Sequence, residues 1–169
     1  MDLSRTPEPV GGRPAWGQGR YAGWMRLALA TGQEALATGD VPVGAVVVTE
    51  DGTVVGAGHN VREAGHDPAG HAEVVALRAA GATLGRWRLD DCTLVVTLEP
   101  CAMCAGAALL ARVDRIVFGA FDPKAGACGS VWDLPRDRRA LHRPEVVAGV
   151  LEQECARTLV DFFGPHRLG

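Results

Sequence analysis

Two cysteines and a histidine have the spacing of ligands for one metal ion. Cys101 and Cys104 lie in the run TLEPCAMCAGA, and residues three apart share one face of a helix. The third candidate, His71, opens the upstream run His-Ala-Glu. Two thiolates and an imidazole are common Zn²⁺ ligands, and three protein ligands leave a fourth position for water. This pattern predicts a catalytic site holding one Zn²⁺ per chain.

Glu73 is the candidate group for proton transfer. Two thiolates offset the charge of the ion, so a bound water is acidified less than it would be by three neutral imidazoles. Such a site needs a nearby base. Because residues i and i+2 point apart on a helix, we expect His71 at or just before a helix start, where its side chain and that of Glu73 can both face the ion. A helix N-terminus also favours thiolates at Cys101 and Cys104.

The cysteine pair has two other interpretations. A C-x-x-C that follows a strand and opens a helix is also typical of thioredoxin-like redox sites, but His71 and Glu73 together favour zinc. A structural zinc site in a binding module would need a fourth protein ligand. His59, His66 or Cys92 could supply one only by coincidence, and a structural site has no use for the carboxylate of Glu73.

The motif H-A-E followed by P-C-x-x-C resembles the signature of the zinc nucleobase deaminases. The chain is similar, more narrowly, to the bacterial tRNA-specific adenosine deaminases over about residues 25–163, in the runs VPVGAVVV, HDPAGHAE, TLEPCAMCAGA, VFGAFDPKAGA and DFF. The resemblance implies a cytidine-deaminase-like α/β fold, a three-layer α/β/α sandwich around a five-stranded mixed sheet of order 2-1-3-4-5. It also implies a tRNA anticodon stem-loop as partner and a homodimer.

The reaction so implied is hydrolytic deamination of adenosine to inosine at the wobble position of a tRNA. Glu73 would take a proton from water and deliver protons to the ring nitrogen and the departing ammonia. Asn60 and the backbone N–H of Ala72 would hold the flipped nucleotide, with Val43 in the pocket wall. The other predicted substrate contacts are Asp122, Lys124, His142, Arg143 and Phe162.

A deaminase of a free base or nucleoside, of guanine or cytosine type, is the alternative on the same scaffold. It would use the same zinc residues and the same glutamate. The run FDPKAGA favours the tRNA enzymes, whereas Phe121 stands where relatives often carry Arg. The sequence leaves both substrates open.

Composition fits one cytoplasmic domain. The chain has 169 residues, of which 47% are hydrophobic and 22% charged, values that are ordinary for a globular protein. No apolar run approaches about eighteen residues, and no secretory signal is visible. Five cysteines, two of them in metal spacing, do not resemble a disulfide framework. The domain is predicted over residues 20–169, after a disordered extension, residues 1–19.

The formal charge of −3 is unusual for a protein that binds nucleic acid. A local basic strip can still contact RNA, although a solvated surface loop is an equal interpretation. The strip consists of Lys124, Arg136, Arg138, Arg139 and Arg143.

Hydrophobic periodicity predicts alternating strands and helices. His59–Asn60, Pro100–Cys101 and Phe121–Asp122 follow predicted strands, so we expect them at one sheet edge, where ligands bind.

Residues 105–113 are apolar nearly all round, as expected of a helix that is covered by a second subunit or buried in its own domain. The predicted strands are residues 43–48, 53–58, 94–97, 115–119 and 146–150, and the main helices are 21–38, 71–80 (ending near Gly81), one beginning after Pro100, and 151–163.

Overall fold

The computed structural model describes residues 18–164. Most of the predicted N-terminal extension, residues 1–17, lies outside this range, and residues 18 and 19 already belong to the first helix. The division into an extension and one domain therefore stays a prediction. In the part of the chain that is described, no helix is long and apolar enough to cross a membrane.

The described chain forms one mixed sheet with helices on both faces. Two short 3₁₀ helices, Glu34–Thr38 and Leu134–Arg136, lie in the connections. The strands are β1 (Gly44–Thr49), β2 (Val54–His59), β3 (Cys92–Leu98), β4 (Arg115–Ala120) and β5 (Glu145–Val147). The α-helices are α1 (Gln18–Gln33), α2 (Arg62–Gly65), α3 (Ala72–Leu84), α4 (Ala102–Ala111) and α5 (Glu152–Phe163).

The sheet has the predicted order, β2-β1-β3-β4-β5. β1 pairs antiparallel with β2 and β3, while β3, β4 and β5 run parallel. Gly52, at φ 94°, makes the tight turn between β1 and β2. Parallel neighbours need a crossover connection, and α4 supplies it between β3 and β4. The predicted mixed sheet is confirmed.

Alternate residues of the central strands enter two separate cores, which is why these strands are largely apolar on both faces. Ala45 and Val47 face α3 and α4, whereas Val46 and Val48 face α1 and α5. The two cores, one on each face, make the predicted three-layer sandwich.

Several predicted boundaries shift for local reasons. α3 passes through Gly81 and ends at Gly85, whose φ of 64° makes the left-handed helix cap that glycine favours. The predicted loop after Asn60 contains α2, and the fifth strand is shorter than predicted.

Three strands deliver polar residues to one edge of the sheet. β2, β3 and β4 point the same way. His59–Asn60 lies at the end of β2, while Pro100–Cys101 and Phe121–Asp122 follow β3 and β4. The predicted common edge is confirmed.

Candidate active site

His71, Cys101 and Cys104 form a compact group that could hold a metal ion. Their ligand atoms lie within 4.8 Å of one another. The Nδ1 atom of His71 is 3.7 Å from Cys101 Sγ and 3.5 Å from Cys104 Sγ. Zn–N and Zn–S bonds of about 2.1 and 2.3 Å place neighbouring atoms of a tetrahedral site about 3.6 Å apart. The spacing of the three side chains therefore fits zinc.

Helix starts position two of the three candidate ligands. His71 and Cys101 are the N-cap residues of α3 and α4, and both have extended backbone, with ψ 150° and 176°. His71 thus lies just before a helix, as expected. A Cβ atom on Gly58 would lie 2.7 Å from the carbonyl oxygen of Ala72, so this glycine lets α3 lie directly on β2.

The two thiols of the cluster have pKa values shifted in opposite directions. Hydrogen bonds from the Cys104 thiol and from His71 lower the pKa of Cys101 to about 3. The same hydrogen bond, together with burial, raises the pKa of Cys104. The hydrogen bond to Cys101 also raises the pKa of His71. Since metal ligands must be deprotonated, binding an ion would release a proton from Cys104.

Glu73 lies beside the cluster without joining the set of candidate ligands. It occupies the first turn of α3 and is 4% exposed. Burial raises the pKa of Glu73 to about 7, and the Cys104 thiol is within hydrogen-bonding reach of its carboxylate. A carboxyl group that titrates near neutrality can both accept and donate a proton at physiological pH. The geometry suits Glu73 for proton transfer.

Asn60, Val43 and Ala72, the predicted pocket residues, lie together. The N–H of Asn60 donates to the carbonyl of Val43 at 3.2 Å, and the N–H of Ala72 donates to Asn60 Oδ1 at 3.0 Å. The Ala72 N–H therefore fixes the orientation of the Asn60 side-chain amide, including its NH₂ group. A direct contact between Ala72 and the substrate stays a prediction.

Asp122 and Lys124 begin a loop that lies against Pro100 and Cys101, which form the metal-binding turn. An isolated β-bridge joins Gly126 to Cys101. Asp122 Oδ1 accepts hydrogen bonds from the N–H groups of Lys124 and Ala125, at 2.9 and 3.2 Å. The side chain of Lys124 is exposed. The structure thus brings both predicted contact residues to the edge that carries the cluster.

His142 and Arg143 lie at the opposite edge. His142 Nε2 donates to the carbonyl of Val113 at 2.6 Å, and Val113 precedes β4, whereas the cluster follows the end of β3. Arg143 donates to the carbonyl of Arg138 at 2.7 Å. Within one chain, these two residues do not join the pocket of Asn60 and Glu73.

Phe162 lies in the last turn of α5. Its ring meets that of Phe163 edge-on, with centroids 5.0 Å apart. Its predicted role in substrate binding stays a prediction.

The basic strip is partly neutralised by its own neighbours. Arg136 pairs with Asp133 at 2.9 Å, and Arg139 pairs with Asp137 at 2.7 Å. These exposed ion pairs lower the positive potential that the strip offers to RNA.

Two buried acids, Asp40 and Glu99, were not predicted from the sequence; each is 2% exposed. Asp40 accepts hydrogen bonds from the N–H groups of Glu63 and Ala64 in α2, at 2.9 and 3.1 Å. Glu99 immediately precedes Pro100 and holds the loop after β4. An acid directly after a buried, largely apolar strand was the available signal for Glu99, since a buried acid needs several donors.

Comparison with known proteins agrees with this geometry. Residues 20–120 match the model of the cytidine and deoxycytidylate deaminase zinc-binding region. The tRNA-specific adenosine deaminase of Bacillus subtilis (strain 168) is 46% identical over 140 residues, which are 83% of this chain and 86% of that protein.

Two solved structures share the fold. One, from a study of A-to-I editing by tRNA:A34 deaminases at the wobble position of transfer RNA, has a TM-score of 0.78 at 40% identity and covers 81% of this chain and 99% of its own. Another, the guanine deaminase of Nitrosomonas europaea, has a TM-score of 0.67 at 28% identity and covers 88% of this chain and 85% of its own.

The match and the side chains support each other. The matched region contains all three candidate ligands and Glu73. The spacing of the three ligand atoms is the one that a zinc-binding region requires. The chain belongs to the cytidine and deoxycytidylate deaminase zinc-binding family.

Proposed function

We propose that this chain converts adenosine to inosine at the wobble position of a tRNA anticodon by hydrolytic deamination. The observation that carries the proposal is a buried glutamate beside a zinc-compatible cluster, in a chain 46% identical to a tRNA-specific adenosine deaminase over most of both proteins. A tRNA substrate is consistent with the cytoplasmic location that we also propose.

Glu73 would carry the protons of the reaction. His71, Cys101 and Cys104 would hold zinc, which supplies a Lewis acid that lowers the pKa of a water molecule. Glu73 accepts a proton from the attacking water as oxygen bonds to C6 of adenine. Glu73 delivers this proton to the ring nitrogen N1. It then takes the proton of the new C6 hydroxyl group and passes it to the amino group, so that the C6–N bond breaks, ammonia leaves and the C6 carbonyl of inosine forms. Its pKa of about 7, raised by burial, suits both directions of transfer.

Asn60 and Val43 would bind the flipped base. Asn60 is held at both its backbone and its side chain, so it can present a hydrogen-bonding group without first being ordered. The side chain of Val43, 5% exposed, would form an apolar wall. Extruding a base from an anticodon loop costs less than extruding one from a duplex.

Asp122 and Lys124 would contact nucleotides next to the flipped base, because their loop borders the cluster. Lys124 would bind a phosphate. His142 and Arg143 lie at the opposite edge, so any contact that they make would be with a more distant part of the RNA.

A homodimer is part of the proposal. One face of α4 is buried, at Cys104, Ala105 and Ala108, but Leu110 on the same helix is 71% exposed. A second copy would cover that apolar surface. A dimer should have twice the chain mass of 17.7 kDa in light scattering at micromolar concentration, and a monomer there would contradict this part of the proposal.

The substrate is tested by comparing an anticodon stem-loop with free guanine, cytosine and adenosine at two salt concentrations. We expect turnover of the stem-loop and poor turnover of the free compounds, since binding to the rest of the RNA positions the base. Stem-loop binding should weaken steeply with salt because it depends on phosphate contacts. Rapid turnover of free guanine with none of the stem-loop would favour the function of the Nitrosomonas relative instead.

A further inference from the structure

Glu99 links the metal-binding turn to the loop that carries Asp122 and Lys124. We propose that it is a positioning residue, which fixes residues 122–130 against Pro100 and Cys101 and so sets how tightly the chain holds its metal ion. Its effect on the substrate rests on the function proposed above, whereas its effect on the metal site does not.

Four donors converge on the Glu99 carboxylate. Oε1 accepts hydrogen bonds from the N–H groups of Cys128 and Ser130, each at 3.0 Å. Oε2 accepts one from the N–H of Asp122 at 3.1 Å and another from the Ser130 hydroxyl. The donors come from both ends of the loop, so one side chain closes it.

The loop is also packed directly onto the turn. The N–H of Ala127 donates to the carbonyl of Pro100 at 2.8 Å, and Gly126 forms a β-bridge with Cys101. A Cβ atom on Gly126 would lie 2.4 Å from Glu99 Cδ, so the loop backbone approaches the carboxylate more closely than any side chain would allow. Movement of the loop would therefore displace the backbone of Cys101.

A carboxylate is the group that this arrangement requires. Both oxygens of an ionised carboxylate accept hydrogen bonds, whereas one end of an amide donates only. Glutamine at this position would place an NH₂ group against two of the four donors. Residues that support metal ligands typically change metal affinity by about 10–100-fold when they are replaced.

The test uses the full-length zinc protein carrying Glu99→Gln. We expect its zinc affinity, measured by competition with a chelator, to fall by about 10–100-fold. Amide hydrogen exchange at Cys128 and Ser130 should accelerate. Both readouts are independent of substrate, so they decide this proposal even if the stem-loop proves not to be the substrate.

Val48→Ala is the control for general loss of stability. Val48 is fully buried but near the far end of β1, away from the loop. It should lower the unfolding midpoint while leaving zinc affinity within about threefold of wild type, below the range expected for residues that support a ligand. Equal weakening of zinc binding in this control and in Glu99→Gln would overturn the positioning role, and so would wild-type zinc affinity in Glu99→Gln.

Two other variants keep the proposal testable if Glu99→Gln does not fold. Ser130→Ala removes the hydroxyl donor alone and should weaken zinc binding relative to wild type, by less than the change of about 10–100-fold expected for Glu99→Gln. Gly126→Ala places a Cβ atom against the Glu99 carboxylate from the loop side and should also weaken zinc binding. Wild-type zinc affinity in the folded Gly126→Ala protein would contradict the coupling between loop and metal site.

If the stem-loop is the substrate, its kinetics add a second readout. Because Glu99 fixes the backbone of Asp122, Glu99→Gln should raise KM for the stem-loop by about tenfold or more in zinc-saturated protein, the cost of about one charge-assisted hydrogen bond. Val48→Ala should leave KM unchanged. An unchanged KM in Glu99→Gln would overturn the role in substrate positioning.

Discussion

Glu73→Gln separates metal binding from proton transfer. Glutamine keeps the shape of a side chain that is 4% exposed, so the packing around α3 should survive. It cannot accept the proton of a water molecule. Because the Glu73 carboxylate is outside the group His71, Cys101 and Cys104, the variant should retain one zinc per chain.

The expected loss of rate follows from how many steps Glu73 serves. Removing one general acid–base group typically costs about 10²–10⁴-fold, and Glu73 would act on both the water and the base. The Glu99 carboxylate accepts hydrogen bonds from four donors, so it is not available to replace Glu73. We expect a loss of at least about 10⁴-fold, equivalent to about 5.5 kcal/mol.

The assay is single-turnover conversion of adenosine to inosine in an anticodon stem-loop, with zinc content measured on the same preparation. Glu50→Gln is the matched control, because Glu50 is exposed in the β1–β2 turn at the far edge of the sheet. It should have wild-type activity. Activity of Glu73→Gln within about tenfold of wild type, below the usual range for such a group, would refute its role in proton transfer, and loss of zinc would make it a ligand.

Further predictions concern the metal, the dimer and stability. Cys104→Ala should lose zinc and activity together, as measured by metal analysis, and full activity after rigorous zinc removal would contradict the zinc mechanism. Leu110→Glu should give a monomer in light scattering, since it places a charge on the apolar face proposed for the second copy. Asp40→Asn should reduce the free energy of unfolding in urea at pH 7 by about 2 kcal/mol, because a buried carboxylate loses charge-assisted hydrogen bonds. Burial raises the pKa of Asp40, but hydrogen bonds from α2 and Thr38 outweigh this effect and hold the pKa below its usual 3.8. The stabilisation is therefore present at neutral pH and is lost as the pH falls below about 4. A difference in unfolding free energy between wild type and variant that persists unchanged at pH 2 would contradict this assignment.

Sequence was sufficient where the chemistry is local. The expected position of His71 followed from the divergence of residues i and i+2 on a helix, and it lies at the N-cap of α3. The strand order was available only through resemblance. The three polar strand ends were predictable because each follows an apolar run, and they meet at one edge.

Sequence was insufficient where partners come from distant segments. The donors to Glu99 lie 23 to 31 residues further along the chain, so no local pattern identifies them. Gly81 and Gly85 are equally plausible helix ends by residue type, and the left-handed backbone at Gly85 is decided by how the chain continues toward β3. His142 was predicted to contact the substrate, and its ring donates to the carbonyl of Val113, a partner 29 residues earlier that no local pattern identifies.

The buried acids also resolve the conflict between a formal charge of −3 and an RNA substrate. Asp40, Glu73 and Glu99 contribute to that total but are between 2% and 4% exposed. They face donors or the cluster inside the protein, not solvent. None of the three therefore lies on the surface that a phosphate backbone would touch, and a net charge of this size produces no large repulsion over the whole protein. Lys124, exposed beside the cluster, then supplies a local positive charge where the flipped base would enter, and net charge alone does not count against binding of RNA.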